Sequence, residues 1–202
     1  IAQKLQENNM TYFPLQKLNT KNLNKILQTY QPNVIHAHDI KAVIFAIKAS
    51  KGKVPVIGHV HGNDFVMRKF SLKSVLFQLH AKKCKHIFWV SNSCLKEYKF
   101  YNKIKDKSSV LYNIVNVQNI QNSVSSYQKT YDIIYLGRLT YPKNPLRLLG
   151  IAKDLANVKP NFTMAVVGDG DLRPEFEEKL AEYHLQNNVK MLGFVSNPYQ
   201  IL

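Results

Sequence analysis

Short apolar runs alternate with longer amphipathic stretches along the whole chain. Seven runs predict strands, at 33–37, 54–60, 86–90, 109–112, 132–136, 162–167 and 189–192. Several are almost continuously apolar, the pattern of parallel strands covered on both faces. Between them the 3.6-residue period predicts helices at about 19–30, 39–50, 69–83, 92–101, 145–156 and 172–185. Ser91 stands where a helix N-cap is needed, directly after the run ending at Val90. Leu72, Val75, Leu76 and Leu79 form one apolar stripe, with Lys73, Lys82 and Lys83 largely off it. The stripe is expected to pack into the core rather than to meet a membrane. The β–α alternation implies an α/β fold with mainly parallel sheets.

One segment departs from this rhythm. Residues 113–130, polar and rich in Asn, Gln and Ser, predict a long loop, which suits an interdomain linker. The expected division is therefore a first domain over 1–130, including the linker, and a second over 131–202. At 202 residues the chain has room for one large domain or parts of two. No apolar run approaches the ~18 residues of a membrane span. Residues 1–10 lack a secretory pattern, and the first residue is not Met, so the natural N-terminus is expected to lie upstream. Cys84 and Cys94 are too few for a disulfide framework and suit a reducing cytosol.

Charge sharpens the division. The formal net charge is +15, and residues 1–130 alone hold 20 basic and 5 acidic residues. Residues 151–202 hold 5 basic and 7 acidic. Two bodies with different surfaces are implied. A basic surface attracts phosphates on nucleic acid, anionic lipid or substrate, although lysines also simply solvate exposed faces. Of the 28 basic residues 24 are Lys and 4 are Arg, which disfavours sequence-specific nucleic-acid recognition.

Four strand ends carry candidate chemistry. In DIIYLGRLTYPKN (132–144) a strand ends in Gly137, followed by Arg138 and, five residues on, Lys143. Ligands in α/β proteins bind at the carboxyl ends of the strands, and an Arg fork with a Lys point charge suits a diphosphate. An ordinary surface turn has the same spacing. In FTMAVVGDGDLRPEFEE (162–178) a strand enters Gly168-Asp169-Gly170 before a helix opened by Pro174. Glycines there would let backbone approach a ligand. The pair Asp169 and Asp171 is better explained by turn and helix-start preferences than by metal binding. His59 and His61 end a third strand on one side of it, and His36 and His38 end another. No third ligand adjoins either pair in sequence, so zinc is not expected, and a four-His metal site joining the two pairs is conceivable but unsupported by spacing. A neutral His at such a tip could bond sugar hydroxyls, assist proton transfer or hold loop backbone. Glu175 and Glu182 show ordinary helix-face spacing, and neither a nucleophile elbow nor a P-loop occurs.

Taken in order, these segments resemble the retaining glycosyltransferases of family 4, which have the GT-B fold. PNVIHAHD (32–39), HVHGND (59–64), FWVSNSCLKEY (88–98), VLYNIVNV (110–117), YLGRLTYPKN (135–144), AVVGDGDLR (165–173) and VKMLGFVSN (189–197) each resemble a family motif. Each is weak alone, but together they cover nearly all the chain. The resemblance implies two Rossmann-like domains, both incomplete here. It gives Arg138 and Lys143 the donor diphosphate and the charge growing on the leaving group. It places His61 against the donor sugar, and Gly137, Gly168, Gly170 and the Gly193-Phe194 turn around the nucleotide. It implies a UDP- or GDP-sugar donor, a glycan or lipid-linked acceptor, no cofactor and no metal. A cytoplasmic enzyme of cell-surface polysaccharide or glycolipid synthesis is expected, peripheral on an anionic membrane.

Three departures qualify the resemblance. The family's N-terminal Gly-rich loop would precede residue 1, its Glu-x7-Glu segment would follow residue 202, and Ile114 stands where Gly is usual. The chain is therefore expected to be an internal fragment without transfer activity by itself. Two rivals remain open: a nucleotide-sugar epimerase of the same fold, and a non-catalytic polyanion-binding module.

Overall fold

The computed structural model describes residues 5, 7–62, 64–123 and 131–201. The chain forms two compact units, 1–114 and 115–202. All seven predicted strands are present, with ends shifted by a few residues.

The first unit is built on a four-stranded parallel sheet in the order β1 (Ile35–His38), β2 (Val56–Val60), β3 (His86–Trp89), β4 (Ser108–Val110). Register is fixed along it: His38 lies opposite His59, and His59 opposite Phe88. Helix α1 (Thr20–Tyr30) begins where Asn19 Oδ1 accepts the Asn22 amide and ends at Gln31 in the left-handed conformation. Helix α2 (Asp39–Ser50) crosses from β1 to β2 and ends at left-handed Lys51 and Gly52. Helix α3 (Leu72–Ala81) opens on a reciprocal Ser71–Ser74 cap. Helix α4 (Asn92–Lys96) is capped as expected by Ser91, whose Oγ accepts the Cys94 amide at 3.1 Å. The core takes one sheet face, with Val56, Val60, Ile87 and Trp89 against Val43, Ile47, Phe77 and Ala81. Phe77, Trp89 and Tyr98 form an aromatic cluster with centroids 5.5–6.2 Å apart. Alternation leaves the histidines on the opposite face.

The second unit holds a three-stranded parallel sheet, β5 (Ile133–Leu136), β6 (Met164–Val167) and β7 (Val189–Gly193), with β6 in the middle. β6 is buried throughout, whereas the flanking β5 and β7 are only partly covered. The reading of strands covered on both faces thus holds for the central one. Helices α6 (Pro145–Val158) and α7 (Arg173–Glu182) bury Leu149, Ala152, Phe176 and Leu180 against it.

Three expectations need correction. Residues 117–123 are helical, forming α5 (Val117–Ser123), rather than a loop, and the units divide at 114/115 inside the segment read as linker. Its remainder, 124–130, lies outside the described residues. The helix expected over 92–101 stops at Lys96, because the Lys99 amide donates to Met67 O and Tyr98 is drawn into the core. The stripe Leu72, Leu76 and Leu79 is exposed, and Val75 only half-buried; Ser74, Phe77, Gln78 and Ala81 face the core instead. Phe77 joins the aromatic cluster, and Tyr98 Oη donates to Ser74 O at 2.9 Å, which fixes the rotation of α3 against its larger apolar arc. Among the described residues no helix is long and apolar enough to cross a membrane.

Candidate functional site

In the second unit the carboxyl ends of all three strands are laced together by backbone. The Gly137 amide donates to Val167 O (3.0 Å) and the Gly168 amide to Gly193 O (2.8 Å). Leu139, fully buried, donates to Asp169 O (3.0 Å) and accepts from the Leu172 amide (2.9 Å). The glycines permit this lacing. A Cβ on Gly168, whose φ is +136°, would lie 2.0 Å from Gly137 O, and one on Gly170 would lie 2.4 Å from Leu139 O. The first demand on these glycines is therefore loop against loop, not the approach of a ligand. Gly193 also needs the left-handed region, at φ +67°, and the next residue, Phe194, is exposed.

On this scaffold the cations divide into held and free. Arg173 donates from Nη1 to Asp169 Oδ2 (3.0 Å) and from Nε to Glu177 Oε1 (2.8 Å). Asp169 Oδ1 also accepts the Gly170 amide at 2.8 Å. That amide, and then Arg173, hold the Asp169 carboxyl below the usual carboxylate range. Its oxygens thus serve the turn and the start of α7. Arg138 follows Gly137 and precedes buried Leu139, so its backbone is fixed, and Arg138 O accepts from Tyr135 Oη (3.1 Å). Its guanidinium is exposed and makes no ion pair or hydrogen bond among the described residues. Lys143 closes a 3-10 turn, Tyr141–Lys143, ahead of left-handed Asn144 and Pro145 at the start of α6. Its ammonium is likewise exposed and unpaired among the described residues. The β5–α6 loop therefore presents two free cations from a rigid base.

In the first unit the strand register assembles what sequence spacing kept apart. His36 and His38 of β1 lie beside His59 of β2, with ring centroids 5.5 and 5.2 Å from it. His61 follows, its Nε2 2.8 Å from His38 Nδ1. One ring nitrogen each of His36, His38 and His59 lie within 4.8 Å of one another, close enough to hold one ion. The third ligand that no adjoining residue supplies in sequence thus comes from a parallel neighbour. His59 is buried, and neither ring nitrogen has a hydrogen-bond partner. Burial first, and then the neighbouring rings, lower the pKa of both His59 and His38, so both favour the neutral form. His61 itself is exposed, and its backbone amide donates to Asp39 Oδ1 at 3.3 Å. Asp39 sits at φ +69°, a conformation uncommon outside glycine, where helix α2 begins. Sequence reasoning passed over Asp39 and Arg173. The signals were present: Asp39 adjoins the His pair, and Arg173 has acids four residues away on either side.

Two units, each built on a parallel sheet, the second with free cations on a glycine-laced loop at its strand ends, have the architecture of the GT-B class of fold. The pattern for Glycosyltransferase Family 4 matches residues 8–119, and that for Glycosyl transferases group 1 matches residues 116–202. The first covers more than half the chain, and the chain belongs to Glycosyltransferase Family 4. It is 29% identical over 111 residues to the uncharacterized glycosyltransferase MJ1059 of Methanocaldococcus jannaschii, covering 50% of this chain and 27% of that protein. It is 31% identical over 98 residues to an N-acetylgalactosamine-N,N'-diacetylbacillosaminyl-diphospho-undecaprenol 4-alpha-N-acetylgalactosaminyltransferase of Campylobacter jejuni, covering 48% and 26%. The structure of Anabaena Alr3699/HepE in complex with UDP and glucose superposes with a TM-score of 0.78 at 18% identity, over 98% of this chain and 60% of that one. The chain thus spans about a quarter of the length of each of these two curated relatives.

Proposed function

We propose that the protein containing this chain transfers a sugar from a nucleotide-sugar donor to a glycan or lipid-linked acceptor with retention of configuration, in cell-surface polysaccharide or glycolipid synthesis. One observation carries the reading: Arg138 and Lys143 stand free at the carboxyl end of the second sheet, while Arg173 beside them is spent on carboxylates. Preorganised, unneutralised cations are what a departing nucleoside diphosphate requires, because they stabilise charge that appears only in the transition state. In this reading Arg138 offers a planar fork and Lys143 a point charge. Gly137, Gly168, Gly170, Gly193 and Phe194 border the nucleotide, and His61 takes the role toward the donor sugar. The donor is a UDP- or GDP-sugar, and the two side-chain cations take the neutralising role without a metal. The family supports transferase over epimerase. The Campylobacter relative acts on an undecaprenol-linked glycan and the Anabaena structure holds UDP, which supports a lipid-linked acceptor and a UDP-sugar here. A cytoplasmic enzyme at the inner membrane face, with its basic first unit toward anionic lipid, fits both.

Calorimetric titration of the full-length protein with UDP and with GDP tests the reading. Saturable binding of one nucleotide is expected, weakened about tenfold or more by Arg138→Ala or Lys143→Ala. Binding of neither nucleotide, with steeply salt-dependent binding of nucleic acid instead, would replace it by the polyanion module.

A further inference from the structure

The histidines at the tips of β1 and β2 share one face of the first sheet. Alternation puts His36 and His38 on it from β1, and His59 and His61 at the end of β2. Parallel register sets His38 opposite His59, so the two pairs close on each other. His59 packs against all three other rings, with centroids 4.2–5.5 Å away. It is 7% exposed, and neither of its ring nitrogens has a hydrogen-bond partner among the described residues. Folded proteins pair their buried polar groups, and a neutral imidazole always carries a lone pair to be satisfied. The Phe88 ring beside His59, at 6.1 Å, has no polar atom to offer. A second proton on each ring is no answer, because charged rings at these spacings repel one another.

A metal ion is the partner that fits. One ring nitrogen each of His36, His38 and His59 lie within 4.8 Å of one another. Zinc bonds of about 2.0–2.1 Å at tetrahedral angles space the ligand nitrogens about 3.3 Å apart. The rings therefore have to close by at most about 1.5 Å. His36 and His38 are exposed and have room to turn, while buried His59 is the fixed ligand. Their exposure also gives an ion its path in and leaves a coordination position open to solvent. Three imidazoles select a transition ion over Mg²⁺ or Ca²⁺, which take oxygen ligands. An outer layer is present as well. His61 Nε2 lies 2.8 Å from His38 Nδ1, and Asp39, whose Oδ1 accepts the His61 amide at 3.3 Å, brings a carboxylate beside the cluster. Such outer partners orient metal-binding imidazoles.

We propose that His36, His38 and His59 bind one divalent transition-metal ion of the zinc type. The inference goes beyond the transferase reading and does not rest on it. The ion ties the tip of β1 to that of β2 and stabilises the first unit. The charge on a departing diphosphate is left to Arg138 and Lys143, which belong to the second unit.

The test is equilibrium dialysis of the tag-free full-length protein, stripped with EDTA, against Zn²⁺ and separately against Mg²⁺. At a Zn²⁺ concentration that just saturates the parent, His36→Ala and His59→Gln should each hold one equivalent fewer, with affinity at this site reduced about a hundredfold or more. His36 is exposed, so its variant keeps the test open should the buried His59 variant fold poorly. Co²⁺ in place of Zn²⁺ should give the visible absorption of a nitrogen-ligated ion in the parent and not in His36→Ala. Saturating Zn²⁺ should raise the melting temperature read by Trp89 emission by about 5 °C or more in the parent alone. His184→Asn, in the second unit, is the control and should bind as the parent does. Equal Zn²⁺ binding by the parent and both variants, comparable binding of Mg²⁺, or an unchanged melting temperature would each overturn the inference. None of these readouts involves a nucleotide or a sugar, so failure here leaves the donor-site proposal standing.

Discussion

Replacing Gly168 by alanine should unfold the second unit's strand ends at a cost readable from the backbone. The new Cβ would meet Gly137 O at 2.0 Å, and the φ of +136° is one that side chains rarely adopt. Neither problem can be relieved by a side-chain rotation, because the obstructing atom is a carbonyl in an adjacent strand end. Holding a non-glycine residue in such a region costs about 1–3 kcal/mol. Moving the two loops apart breaks the Gly168–Gly193 and Gly137–Val167 hydrogen bonds, at about 1 kcal/mol each. The sum, about 3–5 kcal/mol, is a large share of the roughly 5–15 kcal/mol that stabilises a domain. In a unit of this size it should lower the melting temperature by more than about 10 °C. The assay is thermal denaturation by far-UV circular dichroism beside fluorescence. Trp89 is the one tryptophan and sits in the first unit, so its emission should change little while the dichroism of the second unit melts early. Gly150→Ala is the control: it lies within α6 with nothing within 4 Å of a new Cβ, and should add about 0.5–1 kcal/mol. A second unit melting at the parent temperature in the Gly168 variant would refute the reasoning.

Other outcomes follow from the same contacts. Because the folded pKa values of His38 and His59 are depressed below 6.5, the unfolded chain binds more protons, so the first unit should be at full stability above about pH 7 and weaken as pH falls through and below 6.5. Denaturant titrations followed by Trp89 emission across that range check the sign, and His59→Phe should flatten the slope; a parent that gains stability on acidification contradicts the account. Tyr98→Phe removes the hydroxyl bond to Ser74 O and should cost about 1 kcal/mol in the same assay, whereas no change would mean that this bond does not orient α3. In the full-length protein, Arg138→Ala should leave stability within about 0.5 kcal/mol while abolishing the proposed transfer, and transfer by the unsubstituted full-length protein should persist in EDTA. Loss of activity in EDTA would move attention to the cluster of His36, His38 and His59.

Most of the fold was legible because parallel strands write themselves as compact apolar runs. β6 is both the most apolar run and the most buried strand, and the Ser91 cap falls where the residue types place it. What periodicity could not supply was the choice between two apolar arcs on one helix. In α3 the Leu72–Leu79 arc is the larger, yet Phe77 and the Tyr98–Ser74 bond decide which arc is buried. The helix expected to run to 101 failed for the same reason, since a tertiary acceptor on Met67 claims the Lys99 amide. At the candidate site, the sequence placed Gly137, Arg138, Lys143, Gly168 and Gly170 at strand ends, and they lie there in the fold. The assignment of the glycines to a ligand missed that the adjoining loop already fills the space beside them. The histidine cluster was conceivable in the sequence but unsupported by its spacing, because His38 and His59 are 21 positions apart in sequence and direct neighbours only in register.

The lacing of the loops and the freedom of the cations belong to one argument. A cation that stabilises developing charge must be held in place without being neutralised beforehand. Side-chain salt bridges position a group at the expense of its field, as Asp169 and Glu177 do for Arg173. Backbone restraint has no such effect. Gly137 and buried Leu139 fix the residue between them through main-chain bonds, and the 3-10 turn with left-handed Asn144 does the same for Lys143. Glycine at 168 and 170 is what allows the restraint to come from backbone, because it removes the Cβ atoms that would separate the strands' ends. On this reasoning a carboxylate engineered beside Arg138 would leave the fold intact and weaken nucleotide binding. Damage at Gly168 would reach the same binding through the scaffold, and it would appear in the melt as well as in the titration.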